Sequence, residues 1–400
     1  NYLPKLNINV NSENCFRYSS LAVDNVTRKV SNQQMKIRLN YCGMRDINLL
    51  TDLANYIMLE LGQPMHTFDK NVVKGINVNT ATKGTKLLTL EGEEHDIPEG
   101  STVICDSNNK PVAIAGIKGG KLSGITDDTN SLLLESACFD SKAIRITSTK
   151  IGLKTDASQR YEKSLDPEMT TLAIARFVKL LQEQDNGVKV VSSLTDVYTK
   201  KYPECEIDIT ADFVSKRIGV NVTNDDITNI LTKLGFVVDL KNDMLKVKVP
   251  SYRATKDISL REDLVEEIAR SYGYDNIKPE PISMEVKSIE QNEAHNNEYQ
   301  TKYILAEKYG MNEVHSYLWN FVDFNKSVGI EQKSYVSLVD DSNAGQSGIR
   351  SLLAPTLLKF MEENRNSYSD IQIFEIGRVV AGLDDSNLAI EEPHLSICLA

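Results

Sequence analysis

Leu153-Lys154-Thr155-Asp156-Ala157-Ser158-Gln159-Arg160-Tyr161-Glu162-Lys163-Ser164-Leu165-Asp166-Pro167 is the stretch on which the reading of this chain turns. Thr155, Ala157 and Ser158 form a small-residue, hydroxyl-rich turn ahead of the charged cluster Arg160, Glu162 and Lys163. Asp166-Pro167 predicts a helix start, with aspartate as N-cap and proline at the first helical position. A loop anchored in this way can line a small pocket, yet the same residues also fit an ordinary capped helix. Two upstream stretches change the balance: Gly62-Gln63-Pro64-Met65-His66-Thr67-Phe68-Asp69 and Leu134-Glu135-Ser136-Ala137.

Together the three stretches resemble the editing module of the bacterial phenylalanyl-tRNA synthetase β-subunit family. Arg261-Glu-Asp-Leu-Val-Glu-Glu-Ile-Ala-Arg270 with Tyr272-Gly273-Tyr274-Asp275-Asn276-Ile277 is similar to a later part of that subunit. So is Leu352-Leu353-Ala354-Pro355 followed by Phe374-Glu375-Ile376-Gly377-Arg378. These matches run in family order over nearly the whole chain.

Composition sets the outer bounds. Four hundred residues suggest two or three domains. The 41% hydrophobic and 25% charged residues describe an ordinary soluble globular protein. No apolar run is long enough to span a membrane, and with no basic-apolar leader a cytoplasmic location is the default. A net charge of -11 argues against broad non-specific nucleic-acid binding, which needs a basic surface. It leaves room for a small site that touches one RNA end. The six cysteines (Cys15, Cys42, Cys105, Cys138, Cys205, Cys398) are widely spaced without Cys-x-x-Cys, so they read as reduced thiols and not as a metal site. Asn1 at the start and the strand-like Leu395–Ala400 at the end read as a fragment. The resemblance implies an N-terminal tRNA-binding-type region and a C-terminal anticodon-binding domain beyond it.

Periodicity predicts an α+β, multidomain chain. Residues 1–197 form a mixed β-sheet module, which the resemblance makes the editing module. In it Ser31 caps a helix through Leu39, an apolar stripe from Leu50 to Leu61 is closed by Gly62, and antiparallel strands lie between Ile76 and Ile104. Residues 198–277 read as a small winged-helix-like α+β domain. Thr210 and Thr223 cap two helices, an Asn242-Asp243 turn joins two strands, and a helix carries Leu264 to Tyr272. Such modules often bind DNA, but Glu262, Asp263, Glu266 and Glu267 on the last helix repel phosphates, so no DNA is expected. Residues 278–284, with Pro279 and Pro281, form a stiff linker. In residues 285–400 helices are expected at Glu298–Tyr309 and Pro355–Asn364, and strands at 314–321, 335–339, 371–376 and 394–399. The resemblance makes this an inactive, catalytic-like domain with a class II synthetase-type antiparallel sheet, truncated here. Its arginines Arg350, Arg365 and Arg378 are dispersed, without obvious partners for holding a nucleotide.

Three constellations bear on chemistry. Ala115-Gly116-Ile117-Lys118-Gly119-Gly120 fails the phosphate-loop pattern, because Ala115 stands where the first glycine belongs and Leu122 where Ser or Thr should hold magnesium. It is either a tight turn or, as the resemblance implies, a glycine backbone (Gly116, Gly119) that lets an aminoacyl group approach. Glu135 lies in the apolar run Ser131–Ala137. It either points to solvent or needs a partner to offset its burial. The resemblance makes it the group that recognises the phenolic hydroxyl of a wrongly attached tyrosine. His66 fits a polar turn residue equally well, and by resemblance it positions water or the ribose end. By resemblance too, Thr155 and Ala157 line the amino-acid pocket, and the expected chemistry is water attack on an aminoacyl ester. Lys154, Gln159, Lys163 and Ser164 depart modestly from the family.

Three hypotheses follow. The first is a phenylalanine–tRNA ligase β subunit that edits Tyr-tRNA(Phe) at its 3′ end within an α2β2 heterotetramer. ATP and Mg2+ then sit on the α subunit, and this chain holds no cofactor. The second is a non-catalytic scaffold for α, and the third a free-standing nucleic-acid-binding protein.

Overall fold

The computed structural model describes residues 3–288, 290–337 and 348–400. The chain divides into two compact units, Asn1–Glu280 and Pro281–Ala400.

The first unit opens with β1 (Ile8–Val10), β2 (Cys15–Asp24), α1 (Gln33–Tyr41), α2 (Leu49–Leu61), β3 (Met65–Asp69) and β4 (Ile76–Thr80). Next come β5 (Lys86–Leu88), β6 (Glu94–Asp96), β7 (Thr102–Cys105), β8 (Pro111–Ile114), β9 (Lys118–Gly119) and β10 (Ser131–Phe139). Helices α3 (Ser141–Ile151), α4 (Asp156–Tyr161) and α5 (Met169–Gln184) follow, then β11 (Lys189–Val190) and β12 (Thr195–Tyr198).

These strands build two main sheets. One has the order β1-β4-β7-β8-β9; the other runs β11-β2-β10-β3, with β12 also on β2. Strand β10 lies at the centre of the second sheet, between β2 and β3. Its odd positions Leu133, Ala137 and Phe139 join Tyr18, Phe68, Val78, Ile104 and Ile114 in a core between the sheets. Its even positions Leu132 and Leu134 pack with Leu53, Ile57, Phe177 and Leu181 under the helices. A strand buried on both faces reads as a continuous apolar run, and Glu135 is the one charge inside it.

Local chemistry sets the helix ends. Asn48 accepts from the Thr51 amide at the start of α2, and Gly62 closes it in a left-handed conformation. For α1, Asn32 and not Ser31 is the cap, because the Ser31 hydroxyl is committed to Asp52 at 2.6 Å. Asp166 and Pro167 make a turn two residues ahead of α5, whose first residue is Met169. There Asp166 accepts from the Glu168 amide at 2.9 Å and from the Ser251 hydroxyl at 2.6 Å. The hydroxyl-rich turn at Thr155 is itself the helix α4.

Within the same unit, β13 (Cys205–Ile209), α6 (Ala211–Ile218), α7 (Asn224–Lys233), β14 (Val237–Lys241), β15 (Met244–Val249), α8 (Ser251–Ala254) and α9 (Arg261–Tyr272) surround a separate core. Thr210 and Thr223 cap α6 and α7, the latter in a reciprocal capping box with Asp226. The β14–β15 turn places Asn242 and Asp243 at φ 49° and 63°. Strand β13 adds a third strand beside β15. The acidic face expected on α9 is thinner than its sequence suggests. Glu267 is buried between Arg253 and Arg270, Asp263 accepts the Ser259 and Leu260 amides, and Glu262 lies 3.5 Å from Arg217.

In the second unit, α10 (Glu293–Tyr303) runs on as a wider turn to Lys308, followed by β16 (Asn312–Glu313), β17 (Trp319–Asn320), α11 (Val322–Ser327), β18 (Gly348–Ile349), α12 (Ala354–Asn364), β19 (Gln372–Leu383) and β20 (Ala389–Leu399). β19 and β20 form a long antiparallel hairpin, but β16 joins β19 in parallel, so the sheet is mixed. The strand expected at 335–339 reaches the described residues only through Ser337, which bridges to Gly348; residues 338 and 339 lie outside them. Arg350 is not partnerless: it is buried 3.0 Å from the buried carboxylate of Glu375.

Candidate functional site

Strand register assembles the site. In β10, Glu135 stands directly opposite His66 of β3 and Ser20 of β2. Directly opposed residues of antiparallel strands share a face, and this face looks toward the other sheet. Gly116 follows β8 with φ +66° and is packed so closely that an added Cβ would meet Tyr161, Ile144 and Phe139 at 2.9–3.2 Å. A Cβ at Gly119 would meet the His66 ring at 2.6 and 2.9 Å. Both glycines make room: the first by conformation and contact, the second for the imidazole.

The result is a cavity of about 80 Å³ whose walls include His66, Gly116, Gly119, Glu135 and Ala157, joined by Ile104, Lys118 and Tyr161. That is space for several waters or the tip of a ring. Five of the six residues expected from sequence therefore meet at one place. Thr155 stands behind them. Its hydroxyl donates to the Ile117 carbonyl at 3.0 Å and accepts from the Ser158 amide at 3.1 Å, while Ser158 caps back onto the Thr155 amide. The proton and one lone pair are in use, so Thr155 holds the turn that presents Ala157.

The electrostatics are those of a dry site. Burial pushes the Glu135 carboxyl up to about 8, against the opposing pull of a hydrogen bond from Tyr18. Burial alone pulls His66 down to about 4, so its imidazole is neutral at physiological pH. His66 as a residue is half-buried, but its Nε2 is sealed from water and has no hydrogen-bond partner. Its ring lies edge-on to Phe68 with centroids 4.5 Å apart. The thiols nearby are poor nucleophiles, since burial pushes Cys138 up to about 12 and Cys15 well above its ordinary value. What remains is a carboxyl, an imidazole nitrogen in search of a partner and a floor of small residues. Such a site can read a polar group and orient water.

Sequence reasoning missed Tyr18, Tyr161, Lys118 and Gln63. Tyr161 closes α4, and its hydroxyl donates to the Ala137 carbonyl at 3.1 Å while Gln63 reaches it at 3.4 Å. Tyr161 and Gln63 both lay inside the stretches already singled out, and their size and polarity were the available signal. Tyr18 carries no local signal; only the pairing of β2 with β10 brings it to Glu135.

Comparison with known proteins bears on the family. Residues 14–186 match the B3/4 domain, residues 207–274 the tRNA synthetase B5 domain, and residues 277–400 the phenylalanyl tRNA synthetase beta chain CLM domain. The chain is 35% identical over 390 residues to the phenylalanine–tRNA ligase beta subunit of Leptospira interrogans serovar copenhageni, covering 96% of this chain and 47% of that protein. It is 35% identical over 392 residues to the subunit of the same name from Staphylococcus haemolyticus, covering 96% and 48%. The chain thus spans about half the length of the curated relatives it matches. An N-terminal fragment of the phenylalanyl-tRNA synthetase beta subunit from Pyrococcus horikoshii aligns over 68% of this chain and 77% of that one, with 17% identity and a TM-score of 0.36. Three domain matches in family order, with this identity over almost the whole chain, place it in the bacterial phenylalanine–tRNA ligase β-subunit family.

Proposed function

We propose that this chain carries the editing site of a phenylalanine–tRNA ligase and hydrolyses tyrosine wrongly esterified to tRNA(Phe). The observation that carries the reading is the meeting of His66, Gly116, Gly119, Glu135 and Ala157 around one cavity, within the B3/4 match. The tyrosyl ring enters over Ala157, and its para-hydroxyl donates to Glu135. A phenylalanyl ring would leave that buried acceptor unpaired, which is how a polar pocket rejects the analogue lacking a hydroxyl by on the order of 10⁴. Neutral His66, on the cavity wall, orients a water. The water oxygen attacks the ester carbonyl, the bond to the ribose oxygen breaks, and a proton passes to that oxygen. An activated ester needs orientation more than strong acid–base help.

In the wider assembly, ATP and Mg2+ belong to a partner α subunit within an α2β2 enzyme in the cytoplasm, and this chain holds neither. The tRNA contributes its 3′ end. We take residues 1–197 as the editing module, 198–277 as a winged-helix-like packing domain, 278–284 as linker and 285–400 as an inactive class II-like domain that supports α. The three-stranded sheet with α6, α7 and α9 supports the second assignment, and the β19–β20 hairpin supports the last.

Deacylation of Tyr-tRNA(Phe) tests the reading. The wild-type protein should clear it, and Ala157→Trp should abolish clearance by filling the cavity. Overpacking a closed core would instead cost roughly 1–3 kcal/mol. A large fall in melting temperature with unchanged deacylation would make Ala157 structural and refute the assignment.

A further inference from the structure

The carboxyl of Glu135 has two oxygens in unequal circumstances. Oε2 accepts from the Tyr18 hydroxyl at 3.1 Å. Among the described residues no other side chain or amide donates to this carboxyl. Tyr18 is fully buried, stands opposite Ala137 two positions along β10 from Glu135, and belongs to the core between the sheets. Its phenol is therefore fixed by packing, and among the described residues the one polar partner it has is Glu135. The other tyrosine of the pocket, Tyr161, spends its hydroxyl on the Ala137 carbonyl and leaves the carboxyl alone.

We propose that Tyr18 is the positioning residue for tyrosine discrimination: its phenol occupies one oxygen of Glu135, fixes the plane of the carboxyl and leaves the second oxygen free to accept from a ring in the cavity. The inference rests on the editing reading above and adds to it a residue that touches no substrate. A resident phenol holds the carboxyl in the geometry that a visiting phenol needs.

The chemistry points the same way. A phenol donates most strongly to Glu135 when Glu135 is ionised, and burial opposes ionisation. The Tyr18 hydrogen bond is what favours the charged form. The other groups facing Glu135 are Cys15 on β2 and Tyr161 on α4, both held neutral by burial, and His66 on β3, neutral at physiological pH. Lys118 on the cavity wall is paired with Glu91. None of these supplies a positive charge to replace Tyr18.

Removing the Tyr18 hydroxyl should therefore act on selectivity before it acts on turnover. Deacylation of Tyr-tRNA(Phe) and Phe-tRNA(Phe) is measured across pH 6–9 with the full-length protein as wild type, Tyr18→Phe, Glu135→Gln and the double variant. Taking the ratio of the two substrates cancels the intrinsic rise of ester hydrolysis with pH. In the wild type the ratio should climb through about pH 8, and in Glu135→Gln it should be low and flat. In Tyr18→Phe it should fall about tenfold at neutral pH, the worth of one hydrogen bond to a charged group, and recover only at higher pH. In the double variant, loss of the Tyr18 hydroxyl should have no further effect on the ratio, since Tyr18 acts through Glu135.

An unchanged ratio and pH profile in Tyr18→Phe would overturn the proposal while leaving the editing reading intact. Equal losses for both substrates, repeated in the Glu135→Gln background, would overturn it too by making Tyr18 purely structural. Absence of tyrosyl-ester hydrolysis in the wild type would remove both. Should Tyr18→Phe fail to fold, 3-fluorotyrosine placed at position 18, which makes the phenol a stronger donor with little change in packing, should move the ratio, and an unchanged ratio would overturn the proposal.

Discussion

Glu135 and His66 face each other across β10 and β3, and burial gives their titrations opposite consequences for stability. Glu135 is pushed up to about 8 from an ordinary 4.5 in the folded chain. Its contribution is intact below the unfolded value and is lost as pH rises from there through about 8, because the unfolded chain releases the proton first. His66 is pulled down to about 4 from 6.5, so its contribution is present above 6.5 and is lost as pH falls through 4. Glu135→Gln should therefore remove the alkaline loss alone. Urea unfolding of the wild type should show roughly 3–5 kcal/mol less stability at pH 8.5 than at pH 5 from this one group, and the variant should lack that component. Parallel curves for the two proteins would mean that Glu135 is solvated and ionised throughout. Gly119 makes a related point by absence: with the imidazole 2.6 Å from where a Cβ would sit, this position belongs to His66.

At the level of elements, α4 decides whether the pocket has a floor. Only six residues long, it is held by the reciprocal capping of Thr155 and Ser158 and by the Thr155 hydroxyl on Ile117. Loss of such a cap costs about 1 kcal/mol, and here it also frees Ala157. Thr155→Ala should lower both melting temperature and tyrosyl-ester hydrolysis, while Thr155→Ser should retain both. Hydrolysis lost at unchanged stability would assign the hydroxyl to the reaction itself. The sequence was legible here in part. Its small, hydroxyl-rich composition announced a turn, but a helix this short has too few residues for apolar periodicity to declare it. The helix stripe closed by Gly62 and the caps Thr210 and Thr223 were readable because each rests on local chemistry. Strand β13 is legible too, since Cys205, Ile207 and Ile209 alternate with Glu206 and Asp208, a period of two beside a stronger cap signal. Tyr18 was not readable, because nothing within β2 states which strand it will pair with. The same is true of Arg350 and Glu375, 25 positions apart, whose partnership appears only in the folded unit.

Across the whole molecule, a net charge of -11 and a small cavity lined by glycines, a histidine and a carboxyl fit the proposed contact with one RNA end better than a broad nucleic-acid surface. The acidic face of α9 adds less to that argument than its sequence promised, since Glu267 and Asp263 serve the fold. The family matches give the order of the parts, the β10–β3 register sets His66 beside Glu135, and the facing sheet and α4 bring Gly116, Gly119 and Ala157 to them. The central claim is that Glu135 reads the para-hydroxyl of a mischarged ring. Its most direct test is the ratio of Tyr-tRNA(Phe) to Phe-tRNA(Phe) deacylation by the wild type and by Glu135→Gln. The account predicts a ratio of at least about 10³ for the wild type, falling by about 10²-fold or more in the variant while its fold persists. Equal ratios for the two proteins would contradict it.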